Sequence, residues 1–227
     1  MVNTLARVNT KLVSWEEVVE WAYELSKRIK ESRWRPDIVI AISRGGYVPA
    51  RMLCDFLDIH DLVSIQILHW GKAAEITAEA HVKYPLNIDL SGKKALLVDD
   101  ICDTGDSIIV AKEYIVKKCK PAEIKTAVMQ WISSVAKIKP EYYVDEVKDW
   151  VWYQYPWTRA EDTTNFFEKI LNEHKKEGKQ EWTFEELINE FKEWYGIDVG
   201  KKYYDLAISR LSERKMIKIE DNRIKVL

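Results

Sequence analysis

Residues 96–107 read LLVDDICDTGDS, and they hold most of the chemistry legible in this chain. Three carboxylates, Asp99, Asp100 and Asp103, follow the apolar run Leu96–Val98, and Thr104, Gly105, Asp106 and Ser107 come next. A short apolar run bounded by turn residues reads as a buried parallel strand. The apolar stretch Ile108–Val116 reads as a helix. A Gly-containing turn into a helix start presents free backbone N–H groups with the helix dipole behind them, which suits phosphate. The hydroxyls of Thr104 and Ser107 add donors. A carboxylate beside a phosphate would repel it. Asp99 and Asp100 sit at the strand's end, where open α/β sheets place ligands, so they make sense facing ribose hydroxyls or a Mg²⁺ ion. An ordinary strand-to-helix turn with an Asp cap does not call for three aspartates and two hydroxyls.

The elements around this segment alternate. Residues 14–32 have helical periodicity behind a Ser14-x-x-Glu17 capping box. Pro36 ends that pattern, and DIVIAIS (37–43) reads as a buried strand. SRGGYVP turns into a helix through Ala50 to Leu57, and LVSIQIL (62–68) is a second strand. Residues 69–89 are polar and lack a clear period. EIKTAVMQWI (123–132) and YYVDEV (142–147) read as further strands. The alternation predicts an α/β fold, a parallel sheet with helices on both faces.

Composition excludes several classes. Ten Trp and eleven Tyr in 227 residues supply a sizeable core, and a net charge of −2 gives no global pull toward nucleic acid or anionic lipid. Cys54, Cys102 and Cys119 form neither a CxxC pair nor a disulfide framework, which suits a reducing cytoplasm. No run approaches the ~18 apolar residues of a membrane span, and no leader-like segment opens the chain.

The run from Leu96 to Ser107 resembles the 5-phosphoribosyl-1-pyrophosphate (PRPP) motif of type I phosphoribosyltransferases, a strand, two acids, a short spacer and Thr-Gly-x-Ser/Thr. The resemblance implies PRPP and a purine base as substrates, a nucleoside monophosphate and pyrophosphate as products, and Mg²⁺ as cofactor. It also implies a cytoplasmic homodimer. Asp99 and Asp100 would orient the ribose and the hydrated metal. Residues Asp103, Thr104, Gly105, Asp106 and Ser107 would hold the 5′-phosphate, with Asp103 also the general acid/base and Ile101 beside the base. Ser43-Arg44-Gly45-Gly46, placed about 55 residues earlier, resembles the pyrophosphate loop of the 6-oxopurine branch. There the peptide entering the loop is often cis, which here would be Ser43–Arg44. Arg44 would stabilise the leaving group. The stretch 69–89 occupies the place of the family's mobile loop, from which Lys72 and Lys83 would meet the pyrophosphate.

WVWYQYPW (150–157) resembles the base-binding hood of the xanthine–guanine-type and archaeal branch. Trp152 would stack on the purine and Tyr153 would offer backbone groups to its edge. One departure bears on the base. Enzymes for 6-oxopurines usually carry a Lys near the end of the preceding strand, and here that position falls on Ser133 or Ser134, with Lys137 and Lys139 nearby. A missing cation favours a 6-amino group, so adenine is the preferred base and hypoxanthine, guanine or xanthine the alternative. The SRGG loop and the hood are unlike pyrimidine or orotate enzymes.

A boundary is expected near 158–162, giving a phosphoribosyltransferase core over 1–160, with the hood near 140–158, and a helical domain over 161–227. Residues 161–177, 183–195 and 200–214 look helical, with a second capping box at Thr183-x-x-Glu186 and a tail hairpin around Asp221-Asn222. A three-helix bundle with a small hairpin is the preferred reading. A winged-helix DNA reader, in a PRPP-sensing regulator, is the alternative, carried by Lys201, Lys202, Arg210, Arg214 and Lys215. From Glu161 onward 13 Lys+Arg face 15 Asp+Glu, a net of −2 that argues against nucleic acid as a partner.

Overall fold

A computed structural model describes residues 7–69, 80–221 and 223–227. In chain order the elements are β1 (Thr10–Leu12), α1 (Trp15–Glu31), β2 (Ile38–Ser43), α2 (Tyr47–Leu57), β3 (Leu62–His69), β4 (Ala80–Tyr84), β5 (Lys94–Val98), β6 (Ile101–Cys102), α3 (Asp106–Cys119), β7 (Glu123–Ile132), β8 (Tyr142–Val147) and β9 (Trp152–Gln154). Then follow α4 (Arg159–Lys176), β10 (Glu181–Thr183), α5 (Phe184–Tyr195), α6 (Lys201–Glu213), β11 (Ile217–Glu220) and β12 (Arg223–Val226). They form two compact units, residues 15–150, and the N-terminal segment through Ser14 with 151–227. The division falls at 150/151, so residues 151–158 group with the C-terminal helices.

In the first unit a sheet runs β4-β3-β2-β5-β7-β6, with β8 also on β7. All its pairings are parallel except β3–β4. Strand residues alternate between two cores, as a period of two requires. Val39, Ala41, Leu96, Val98 and Ala127 face α1 and α2 through Leu25, Ile29, Ala50 and Leu53. Ile38, Ile40, Ile42, Ala95, Leu97 and Val128 face α3 through Ile108, Ala111 and Ile115. Burial on both faces is why these strands read as continuous apolar runs.

The stretch 69–89 is not loop throughout. β4 pairs antiparallel with β3, and Ala80 and Val82 pack against the α3-side core. Five residues of alternating pattern are enough for an edge strand, though polar neighbours obscure them.

The second unit pairs β1 with β9 in parallel. Its C-terminal part holds three helices, but it is more than a bundle with a hairpin. β11 and β12 form the expected hairpin, and β10 adds a third antiparallel strand in the order β10-β12-β11. Trp182, 1% exposed, anchors β10 in the core. The Thr183 capping box is formed: Glu186 N donates to Thr183 Oγ1 (3.1 Å) and Thr183 N to Glu186 Oε2 (2.7 Å). Among the described residues no helix is long and apolar enough to cross a membrane.

Candidate active site

The sheet order creates the site. From β2 the chain moves one way, through α2 to β3. From β5 it moves the other way, through α3 to β7. The neighbouring strands β2 and β5 therefore flank a topological switch point, and a crevice opens beyond their carboxyl ends. Two loops emerge there, residues 43–46 after β2 and 99–105 after β5. A cleft of about 230 Å³ lies between them, lined by Ser43, Arg44, Gly45, Asp99, Asp100, Ile101, Asp103, Gly105 and Ser107, with Ile42, Ile67 and Ile108 beneath.

Both loops depend on glycine, for different reasons. Gly46 has ordinary helical angles (φ −67°, ψ −8°), but a Cβ there would strike the carbonyl oxygens of Val98 and Ile42. A Cβ on Gly45 would strike the Asp100 carboxylate. The first loop is thus pressed against the end of β5. Gly105 instead has φ 84°, a conformation that costs a residue with a Cβ, and lets the chain enter α3. The Ser43–Arg44 peptide is cis.

The acidic loop is held by its own backbone. Asp100 N donates to Asp99 Oδ1 (3.0 Å), Ile101 N to Asp100 Oδ1 (2.9 Å) and Thr104 N to Asp103 Oδ1 (2.6 Å). The carbonyl of Asp100 accepts from Met129 N (3.0 Å), fixing the loop to β7. Burial, then the neighbouring Asp100 carboxylate, push the Asp99 carboxyl well above the usual carboxylate range. Asp100 is 8% exposed and Asp103 lies at the surface. α3 starts at Asp106 directly behind Gly105, so the helix N-terminus lies at the cleft end of the loop, where it suits an anion.

The donor set fits a magnesium ion held largely by substrate oxygens. Among the described residues no group of three or more His, Cys, Asp or Glu forms a ready-made cage. Two adjacent carboxylates that repel each other are relieved by a cation, and Mg²⁺ is commonly held by one or two carboxylates plus phosphate oxygens.

Several expected residues are not among those that line the cleft. Gly46 is buried as the residue before α2. Thr104 accepts from Asp106 N (3.4 Å). Asp106 is held by Lys137, Nζ to Oδ1 2.7 Å, and Lys139 lies over the rings of Trp131 and Tyr143. Both lysines that could have stood in for the base-contacting cation are therefore engaged elsewhere. Ser133 N donates to Val147 O (3.0 Å), and its side chain does not line the cleft. Lys72 lies outside the described residues. Lys83 is exposed on β4 and sits over Tyr84. Trp152 and Tyr153 belong to the other unit, where Trp152 meets Phe166 edge-on at 5.7 Å and Lys11 lies over Tyr153. Sequence reasoning missed Ile67 in the cleft floor. It also missed Tyr47, whose hydroxyl bonds Ser64 at 3.1 Å and is held below its usual range by Ser43 first and then Ser64. Its place directly after SRGG was the only available signal.

A model of the phosphoribosyl transferase domain matches residues 9–158. The chain belongs to that family. A hypoxanthine-guanine phosphoribosyltransferase of Aquifex aeolicus is 31% identical over 120 residues, 52% of this chain and 67% of that protein. A xanthine-guanine phosphoribosyltransferase of Desulfotalea psychrophila is 31% identical over 147 residues, 64% of this chain and 84% of that one. The crystal structure of a purine phosphoribosyltransferase from Pyrococcus horikoshii superposes with TM-score 0.56 at 28% identity, covering 66% of this chain and 93% of its own. The phosphoribosyltransferase match stops one residue before α4 begins.

Proposed function

We propose that this phosphoribosyltransferase joins a 6-oxopurine to PRPP, giving a nucleoside 5′-monophosphate and pyrophosphate. The observation that carries the reading is the cleft at the β2/β5 switch point, where the Ser43–Gly45 backbone meets the Asp99–Ser107 loop. The purine ring nitrogen attacks the anomeric carbon as the C–O bond to pyrophosphate breaks and its electron pair leaves with the pyrophosphate. Asp103 takes the ring N–H proton, a transfer worth ~10²–10⁴ in rate. Arg44 and the amide of Gly45 hold the leaving pyrophosphate, stabilising charge that grows in the transition state, while Gly46, whose N–H donates to Ile42 O (2.9 Å), keeps the loop pressed on β5. Asp99 and Asp100 orient the ribose, and residues 103–107 hold the 5′-phosphate. Mg²⁺, when bound, neutralises pyrophosphate charge beside Asp99 and Asp100.

The relatives' names favour an oxopurine over adenine: hypoxanthine, xanthine and guanine are what those enzymes carry. Adenine is kept as a second reading on one observation. The end of β7 runs into Ser133 and Ser134, and Lys137 and Lys139 are occupied by Asp106 and by the Trp131 and Tyr143 rings.

Turnover of PRPP with Mg²⁺ decides, with hypoxanthine, guanine, xanthine and adenine offered separately. IMP, GMP or XMP formation is expected. AMP as the sole product would move adenine to first place, and hydrogen-bond mismatch at a buried site can separate the two by ~10⁴. No product from any base would remove the catalytic reading.

A further inference from the structure

We propose that residues 159–227 form a winged-helix module that docks on duplex DNA through α6 and the β11–β12 hairpin. The order helix, strand, helix, helix, strand, strand, with the first strand paired to the last, is the arrangement in which two helices make a helix-turn-helix and the terminal hairpin makes a wing. α5 and α6 are joined by a short turn, residues 196–200, bounded by Gly196 (φ 68°) and Gly200 (φ 84°). Such a turn is typical of the motif. The second helix of the motif enters the major groove by its N-terminal residues, and here those are Lys201 and Lys202, both exposed.

Charge is what the fold rearranges. Over the whole segment from Glu161 it averages to −2, which concealed a split. Residues 161–198 carry 5 Lys+Arg against 11 Asp+Glu, a net of −6, and residues 199–227 carry 8 against 4, a net of +4. The basic half is α6 and the hairpin; the acidic half is α4, β10 and α5. The first turns of α4 and α5 hold acidic pairs, whereas that of α6 holds none. Some of the basic charge is shared internally, Lys201 with Asp205 (2.7 Å), Arg223 with Glu181 (3.7 Å) and Lys218 with Glu220. Lys202, Lys215 and Lys225 remain exposed on the basic half. Arg214 pairs with Glu168 (3.9 Å), and the net positive charge left on α6 and the hairpin is complementary to the phosphate backbone. The inference is independent of the catalytic reading, because none of these residues belongs to the cleft.

The test uses the full chain and a fluorescein-labelled random duplex of about 25 base pairs, followed by anisotropy across salt concentrations. Binding in the micromolar range is expected at low salt. It should fall on the order of 100-fold between about 50 and 200 mM salt if about four phosphates are neutralised. Two double variants with identical net charge then locate the surface. Lys201→Gln with Lys202→Gln should weaken binding at least about tenfold and flatten the salt slope by about 0.9 for each phosphate left without its lysine. Lys175→Gln with Lys176→Gln, on α4, should not. Matched melting temperatures establish that both variants fold. Absence of duplex binding at low salt overturns the proposal. So does equal weakening by both pairs, or preference for single-stranded DNA or RNA over duplex.

Discussion

The two compact units fill their interiors with different side chains. Residues 15–150 bury Ile, Val, Leu and Ala around a parallel sheet. The C-terminal part of the other unit buries Phe166, Phe167, Trp182, Phe191, Trp194, Tyr195 and Tyr204. A doubly covered sheet packs best with branched residues that lie flat on the pleat. A segment of roughly 70 residues has too little interior for that and reaches stability by burying large rings. The rings stack closely, Phe166 on Tyr195 at 3.9 Å and 12°. The placement of polar groups differs as well. The sheet unit gathers its cleft-lining polar groups in two loops at one switch point, and the C-terminal part divides its charge between an acidic half, residues 161–198, and a basic half, residues 199–227.

The largest expected effect breaks the comparison at chemistry. Asp103→Asn should lower kcat by ~10²–10⁴ in a steady-state assay. The melting temperature should stay put, because Asp103 is exposed and the amide oxygen can still accept from Thr104 N. Retained turnover would remove Asp103 from its role. The opposite signature is expected in the aromatic core. Phe191 is fully buried and meets Phe167 at 5.4 Å and Tyr195 at 5.2 Å, so Phe191→Ala should cost ~3–5 kcal/mol. Thermal unfolding followed by near-ultraviolet circular dichroism reads the loss, and a cost under about 1 kcal/mol would mean that the rings do not form one core.

Gly46→Ala tests whether the site and the sheet core are one object. The added methyl group meets backbone carbonyls of Val98 and Ile42 rather than flexible side chains. Overpacking of that kind costs ~1–3 kcal/mol, and here it would displace the loop that carries Arg44. Stability and PRPP affinity should fall together. A stable variant with unchanged affinity would show that the loop can move away from β5 without consequence.

Much of the sheet unit was legible because its signals are local. The runs at 38–42, 95–98 and 127–129 are apolar and buried on both faces, and the two ligand loops follow β2 and β5 directly. The cis Ser43–Arg44 bond was accessible only through resemblance, since nothing in those two residue types demands it. What stayed hidden is set by partners distant in sequence. β10 is three residues long and exists through its pairing with β12, 40 residues later. The Lys137–Asp106 pair spans 31 residues, so the lysines past β7 could not be assigned from spacing. The charge split in the last third was present in the sequence, but only the helix and hairpin give a reason to divide it at residue 199.

The smallest expected effect is a pH dependence confined to the sheet unit. Glu141 accepts from Thr126 Oγ1 (2.5 Å) and Thr126 N (2.7 Å) through one oxygen and pairs with Lys112 (2.9 Å) through the other. Burial alone would raise its carboxyl, but the Thr126 and Lys112 hydrogen bonds outweigh burial and hold it below its ordinary 4.5. A depressed folded-state value means that the folded protein favours the carboxylate. The resulting stability is present above the unfolded value and is lost as pH falls through the folded one. The side chain is 37% exposed, so solvent screening limits the contribution to about 1 kcal/mol or less. Glu141→Gln should therefore lower stability near pH 7 by about that amount, and the gap to the unchanged protein should close as the pH falls through the lowered folded-state value. Urea unfolding at a series of pH values measures it. A gap that stays constant down to pH 3 would mean that the Thr126 contacts act by shape rather than by charge.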